Sequence, residues 1–210
     1  MEAGRKKKVP SVPQSKDSRT AILRAALRTF ACDGYDGASL PKIARAADVA
    51  PPLIYYHFGS KENLWRDTVD FSLGQLLRQV TTISDATRSL VALDRLRSLL
   101  EAFSLFAAEF PDQFSMIIAE ARSDSDRFAW VNENYTSELF GLVTETLEEA
   151  QKAGIVRDLD VENLATMLFG AIFTRFAVGR HQKQGKNSRE VSEAYVVELF
   201  DVFINGIVLR

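Results

Sequence analysis

The residues with chemistry to offer lie close together: Pro51-Pro52-Leu53-Ile54-Tyr55-Tyr56-His57-Phe58, followed by Ser60-Lys61. Phenolic hydroxyls, an imidazole and a lysine can bond phosphates or base edges, while Leu53 and the proline rings can pack on thymine methyls. Hydrolytic or redox chemistry has no comparable foothold. The 2 His and 1 Cys make structural zinc impossible without heavy help from carboxylates, and Cys32 has no partner for an intramolecular disulfide. No nucleophile elbow, phosphate loop or metal-ligand spacing occurs, and His57 and His181 fall in different modules. The expectation is a binding protein with no catalytic residues, no metal and no cofactor.

To serve as a recognition surface, the 51–61 run must be held on a rigid support, and the sequence upstream supplies one. Asp17 or Ser18 can cap a helix whose apolar residues Ile22, Leu23, Ala26, Leu27, Phe30 and Ala31 recur at spacings of three and four, ending at Gly34. Ser39 caps a short second helix, Leu40 to about Ala47, with Pro41 tolerated in the first turn. Asp48-Val49 breaks it. A third helix, about 51–57, follows, with Ile43, Ala44, Ala47, Val49, Ile54 and Phe58 forming an inward set. This is a helix-turn-helix pattern. With Ile54 inward and about 100° per residue, Pro52 and Tyr56 point outward, Leu53 and Tyr55 flank them, and His57 lies nearer the core edge. Ser39, Lys42 and Lys61 then supply flanking phosphate contacts. Cys32 reads as a small core residue.

Charge follows the same division. The net charge of −2 hides 12 Lys+Arg against 6 Asp+Glu in residues 1–66, leaving 14 against 22 in residues 67–210. A basic module ahead of an acidic one points to a polyanion as the first module's partner. Residues 1–16, with Arg5-Lys6-Lys7-Lys8 between prolines and serines, read as a flexible basic arm. No apolar run follows them as in a secretory signal, and the most apolar stretch, Met167 to Val178, is interrupted by Thr174 and Arg175. A cytoplasmic protein without a membrane partner is expected.

The runs Ile22-Leu23-Arg24-Ala25-Ala26-Leu27-Arg28-Thr29-Phe30-Ala31, Gly34-Tyr35, Ser39-Leu40, Lys42-Ile43-Ala44, Ala47-Asp48-Val49, Leu53-Ile54-Tyr55-Tyr56-His57-Phe58 and Ser60-Lys61-Glu62-Asn63-Leu64 closely resemble the TetR family of bacterial transcriptional regulators. The resemblance covers 17–65. Three departures stand out: Asp48 replaces the usual turn glycine, Ala50 stands where a capping serine is frequent, and Pro51-Pro52 replaces a commonly polar or glycine-containing pair. What the resemblance implies for DNA contact is carried most directly by Tyr55, Tyr56, His57 and Lys61.

Beyond the fourth helix, which starts at Lys61 and runs into the low 80s, helical periods occupy 89–110, 111–123, 127–153, 160–182 and 189–208. The expected architecture is all-α with about nine helices. By resemblance, a helix-turn-helix domain (17–66) precedes a helical effector-binding and dimerisation domain (67–210). Phe106, Phe110, Phe114, Trp130 and Phe173, with Glu120 and Arg175 as polar handles, are candidates for a pocket taking an apolar or aromatic effector. Met167, Phe169, Phe176, Val196, Phe200, Phe203 and Ile204 give the last two helices a dense apolar surface for an isologous four-helix dimer contact. The function so implied is a homodimeric regulator, a repressor, that binds double-stranded operator DNA of near-palindromic sequence and is released by an unidentified small molecule. The alternative is a helix-turn-helix-fold protein-interaction or assembly factor without specific DNA binding.

Overall fold

The computed structural model describes residues 15–122, 125–178 and 188–208, and the basic cluster of the amino-terminal arm lies outside them. Helix α1 spans Ser15–Gly37, with Gly34 at φ 71°, ψ 176° kinking its end. It begins before the expected cap, so Asp17 and Ser18 sit inside the helix, and Ser18 is buried rather than capping. Helices α2 (Leu40–Ala46) and α3 (Pro51–Phe58) follow. Lys61–Val69, a π-helical turn Asp70–Gly74 and Gln75–Ala86 continue without a break as α4 (61–86).

Helices α5 (Ala92–Glu109) and α6 (Pro111–Arg122) are split by Pro111, which has no N–H to continue the preceding helix. Asp126–Val131, a second π-helical turn Asn132–Thr136 and Ser137–Lys152 form α7 (126–152). Helices α8 (Val161–Val178) and α9 (Ser188–Ile207) complete the chain, nine helices among the described residues. The antiparallel pairing among those residues is one isolated bridge, Val156 to Val208.

The core is continuous through both halves. Ile22, Leu23 and Phe30 of α1, Ile43 and Ala44 of α2, Ile54 and Phe58 of α3, and Leu64 and Trp65 of α4 close the first cluster. Ala44, 1% exposed, presents only a methyl where α2 meets α3. α5 is the hub of the second half, packed by α4, α7, α8 and α9 through Leu96, Leu99, Leu100 and Phe103. Its pairing with the distant α9 is non-local and has no sequence signal. The two halves join where α1 lies along α6.

Candidate functional site

Two hydrogen bonds close the end of α2: Val49 N donates to Ala44 O at 3.0 Å and Asp48 N to Arg45 O at 3.3 Å. This is the Schellman arrangement, which requires a left-handed residue just past the helix, and Asp48 takes that place at φ 54°. Aspartate adopts this conformation more easily than most side chains, so the glycine is dispensable. Ala50 precedes α3 and provides no side-chain cap. Pro51 and Pro52 lower the need for one, because they remove two of the four unpartnered first-turn N–H groups.

α3 is pinned by Ile54 (0% exposed) and Phe58 (5%), and turns Tyr55 (56%) and Tyr56 (80%) to solvent. Pro52 is exposed and Leu53 half-buried. His57 faces back: its Nε2 lies 3.3 Å from Ser18 Oγ, tying α3 to α1. Of the flanking groups, Ser39 caps α2 by accepting from Lys42 N at 3.3 Å. The Lys42 ammonium is paired with Asp33 at 2.5 Å. Lys61 donates to Asp36 O at 3.4 Å and sits 4.5 Å from the Tyr35 ring. Arg45, exposed in the last turn of α2, was overlooked in the sequence. Its offset from buried Ile43, about 200° around the helix, was the available signal. Cys32, expected inside, is exposed on α1.

The helix-turn-helix unit is braced against the rest of the chain by an aromatic and ionic cluster. Arg127 of α7 lies 3.7 Å over the Tyr35 ring and donates to Glu120 at 2.9 Å, and the Ser125 hydroxyl donates to the same carboxylate at 2.7 Å. Trp130 packs 5.9 Å from Trp65, with Arg66 over its face at 5.0 Å. Burial, reinforced by the hydrogen-bonded Glu62, pushes the Tyr35 phenol above its usual range.

A cavity of about 300 Å³ lies among the helices of the second half. α4 contributes Leu73 and Leu76, α5 Phe103, and α6 Phe114, Ile117 and Ile118. α7 contributes Thr136, Leu139 and Phe140, and α8 Thr166, Phe169, Gly170 and Phe173. Phe169 is the hub of its ring contacts, 4.8 Å from Phe103, 5.3 Å from Phe140 and 5.7 Å from Phe173. Both π-helical turns reach this cavity, one through Leu73 and the other through Thr136. They are cross-tied by Tyr135, whose hydroxyl donates to Asp70 Oδ1 at 3.2 Å. Burial and then the Asp70 charge push the Tyr135 phenol up to about 12.

The structure redistributes the sequence candidates. Phe114 and Phe173 line the cavity, and their rings are 4.4 Å apart. Phe106 and Phe110 do not line it; they pack on each other at 4.9 Å, with Phe71 against Phe110 at 6.2 Å, filling core beside it. Trp130 belongs to the junction with Trp65, and Glu120 is held there by Arg127. Arg175 lies outside the cavity, 5.8 Å over the Tyr195 ring.

The dimer candidates divide as well. Phe169 (6% exposed) and Val196 (1%) are interior to the protomer, because α8 and α9 bury one face against α5 before any partner arrives. Phe200, Phe203 and Ile204 are half-buried on that core, while Met167 is 65% exposed. Phe176 lies on α8, with its side chain outside the described residues. Val197 (48%) and Val202 (73%) are exposed apolar positions that the dense sequence pattern did not separate from its buried ones.

A two-helix motif with a solvent-facing tyrosine pair, carried on an all-helical body, defines a helix-turn-helix regulator. Residues 22–67 match the profile of "Bacterial regulatory proteins, tetR family", and residues 93–202 that of "Tetracyclin repressor-like, C-terminal domain". The chain belongs to the TetR family. It is a DNA-binding transcription regulator rather than an enzyme.

The fatty acid metabolism regulator protein of Bacillus subtilis is 26% identical over 163 residues, 76% of this chain and 81% of that protein. The HTH-type transcriptional repressor NicS of Pseudomonas putida is 22% identical over 203 residues, 94% of this chain and 93% of that one. The solved structure of the ketosteroid transcriptional regulator KstR2 of Mycobacterium tuberculosis superposes with a TM-score of 0.76 at 21% identity, covering 97% of this chain and 98% of that one. Among the described residues no helix is long and apolar enough to cross a membrane, and no group of three or more His, Cys, Asp and Glu is placed to hold a metal.

Proposed function

We propose that this chain is a cytoplasmic homodimeric repressor that binds a near-palindromic operator and is released by a small apolar effector. The observation that carries the reading is the outward face of α3, where Tyr55 and Tyr56 stand exposed on a helix fixed by Ile54 and Phe58. Residues 17–66 are the DNA-binding unit, and residues 67–210 the effector-binding and dimerising unit. Tyr55, Tyr56, Leu53 and Pro52 meet base edges and backbone. Ser39, Lys42, Arg45 and Lys61 flank them on phosphate, with Lys42 exchanging Asp33 for a phosphate oxygen. His57 acts by holding α3 to α1. Exposed Met167, Val197 and Val202 support an α8–α9 contact between copies.

The wholly uncharged cavity supports the effector half of the reading, as do relatives named for fatty acid and ketosteroid regulation. A ligand there releases DNA only as far as it binds the DNA-free conformation better. α4 is the physical connection, since it carries Lys61 at one end and Leu73 and Leu76 in the cavity wall. The test is binding to the duplex flanking the chain's own gene, across a salt series and against a scrambled duplex. Specific binding supports the reading. Sequence-blind binding at every salt concentration refutes it and favours the protein-interaction alternative.

A further inference from the structure

The leading edge of α3 carries hydrocarbon where a recognition helix ordinarily meets base edges. Ala50, Pro51, Pro52 and Leu53 follow one another without a side-chain donor or acceptor; the first three are exposed and Leu53 is half-buried. The backbone supplies no donor in their place. Pro51 and Pro52 have no N–H, and the Leu53 N–H is taken by Ala50 O at 2.9 Å.

The polar groups nearby stand away from this edge. Tyr55 and Tyr56 come one helical turn after Pro51 and Pro52, and the His57 ring is turned to Ser18. The charged neighbours belong to α2 and the turn: the Lys42 ammonium is held by Asp33, Arg45 lies in the last turn of α2, and Asp48 just beyond it. Arg, Lys, Asn and Gln, the side chains that read guanine and adenine through paired hydrogen bonds, do not occur in α3.

We infer that this edge reads thymine methyl groups: Pro52 and Leu53, with Pro51 beside them, pack on C5-methyls of the operator half-site and select against guanine. This rests on α3 entering the major groove of an operator. The C5-methyl is the one alkyl group that a base pair presents there. Guanine presents two acceptors, O6 and N7, and hydrocarbon pressed against them removes water while supplying no donor. The phenols of Tyr55 and Tyr56 are left for phosphate, so register on the duplex and choice of sequence come from different parts of one short helix.

The full chain is used to enrich duplexes from a random-sequence library, and each thymine of the enriched half-site is then replaced by deoxyuridine, which lacks only the methyl. Measured by fluorescence anisotropy, the loss of one contacted methyl is expected to weaken binding about fourfold, and about 15-fold when it is made in both half-sites. At the same position 5-methylcytosine should bind more tightly than cytosine by a similar factor. In Pro52→Ala and Leu53→Ala the deoxyuridine penalty should disappear at the position that the lost side chain touches, a coupling that reduced stability alone does not produce. Thermal melts identify any variant that fails to fold, and the deoxyuridine series on the wild-type chain needs neither variant.

Enriched half-sites in which deoxyuridine at every thymine leaves affinity unchanged overturn the methyl reading and leave α3 on its operator. A methyl penalty that survives in both variants overturns the assignment to Pro52 and Leu53. Failure to enrich any sequence overturns specific operator binding, and this inference with it.

Discussion

Replacing Tyr56 with alanine separates recognition from folding, because the side chain stands almost entirely outside the structure it belongs to. It is 80% exposed, and its ring contact is the edge of His57 at 5.3 Å. Removing it therefore changes folding stability by no more than about 0.5 kcal/mol, the usual range for a surface substitution. Alanine's better helix propensity offsets part of that. On DNA, a phenol bonded to a phosphate oxygen is worth about 1.5–3 kcal/mol, so each recognition helix loses about ten- to 150-fold in affinity. In a two-fold complex both helices lose it. Fluorescence anisotropy on the flanking duplex, repeated across salt, reads both the loss and its origin. A phenol is not a cation, so the plot of log affinity against log salt should drop without changing slope. Tyr56→Phe divides the loss between hydroxyl and ring. Unchanged operator affinity in Tyr56→Ala, with an unchanged melting temperature, would refute the placement of this face against DNA.

Asp48→Gly relieves the left-handed strain at φ 54° and should raise stability by about 0.5–1 kcal/mol, whereas Asp48→Val should lower it by more than about 1 kcal/mol; urea midpoints at constant m decide. Arg127→Ala takes the guanidinium from Glu120, whose side chain is 4% exposed and keeps the Ser125 hydroxyl, and should cost about 3 kcal/mol, partly recovered when Glu120→Gln is added. A double-mutant cycle by chemical denaturation shows whether the recovery occurs. Because the Tyr135 phenol is held up to about 12, the folded chain keeps a proton that the unfolded chain releases near pH 10. Its stabilising contribution is thus complete below pH about 10 and fades as pH rises towards about 12. Tyr135→Phe should flatten that alkaline decline, and identical pH profiles for the two proteins would show that the slope arises elsewhere.

The helix-turn-helix unit was legible because its determinants are local. Ser39, Gly59 and Ser60 mark helix ends through their own backbone and side-chain preferences, and Ile43, Ile54 and Phe58 declare an inward face by spacing alone. The same periodicity placed Tyr56 outward. The boundaries of α5, α6 and α7 were legible to within a few residues for similar reasons, since Pro111 has no N–H to continue the preceding helix and Gly154, at φ 67°, takes the left-handed conformation that ends one; the expected end of α8 at 182 lies outside the described residues. The sequence showed Asp48 in place of the usual turn glycine, and the structure adds why a left-handed residue is needed there, through the two hydrogen bonds that close α2.

Partnership between distant helices was not legible. Phe106, Phe110, Phe114 and Phe173 are alike in sequence, yet only the last two line the cavity, because the rotation of each helix about its own axis decides which ring meets a void. The π-helical turns at Asp70–Gly74 and Asn132–Thr136 reset that rotation within α4 and α7. Gly74, inside α4, leaves room for the Asp70 carboxylate; a Cβ there would lie 2.6 Å from Asp70 Oδ1. Phe169 and Val196 looked like surface for a partner because a helix with two apolar faces does not say which is covered first. Local patterning was enough for the helices, the turn and the outward tyrosines, all set by interactions within about one helical turn. Which aromatic rings enclose the cavity, and which ion pair braces the DNA-binding unit, were decided by the packing of α5 against its neighbours and of α1 against α6, contacts between residues far apart in the chain.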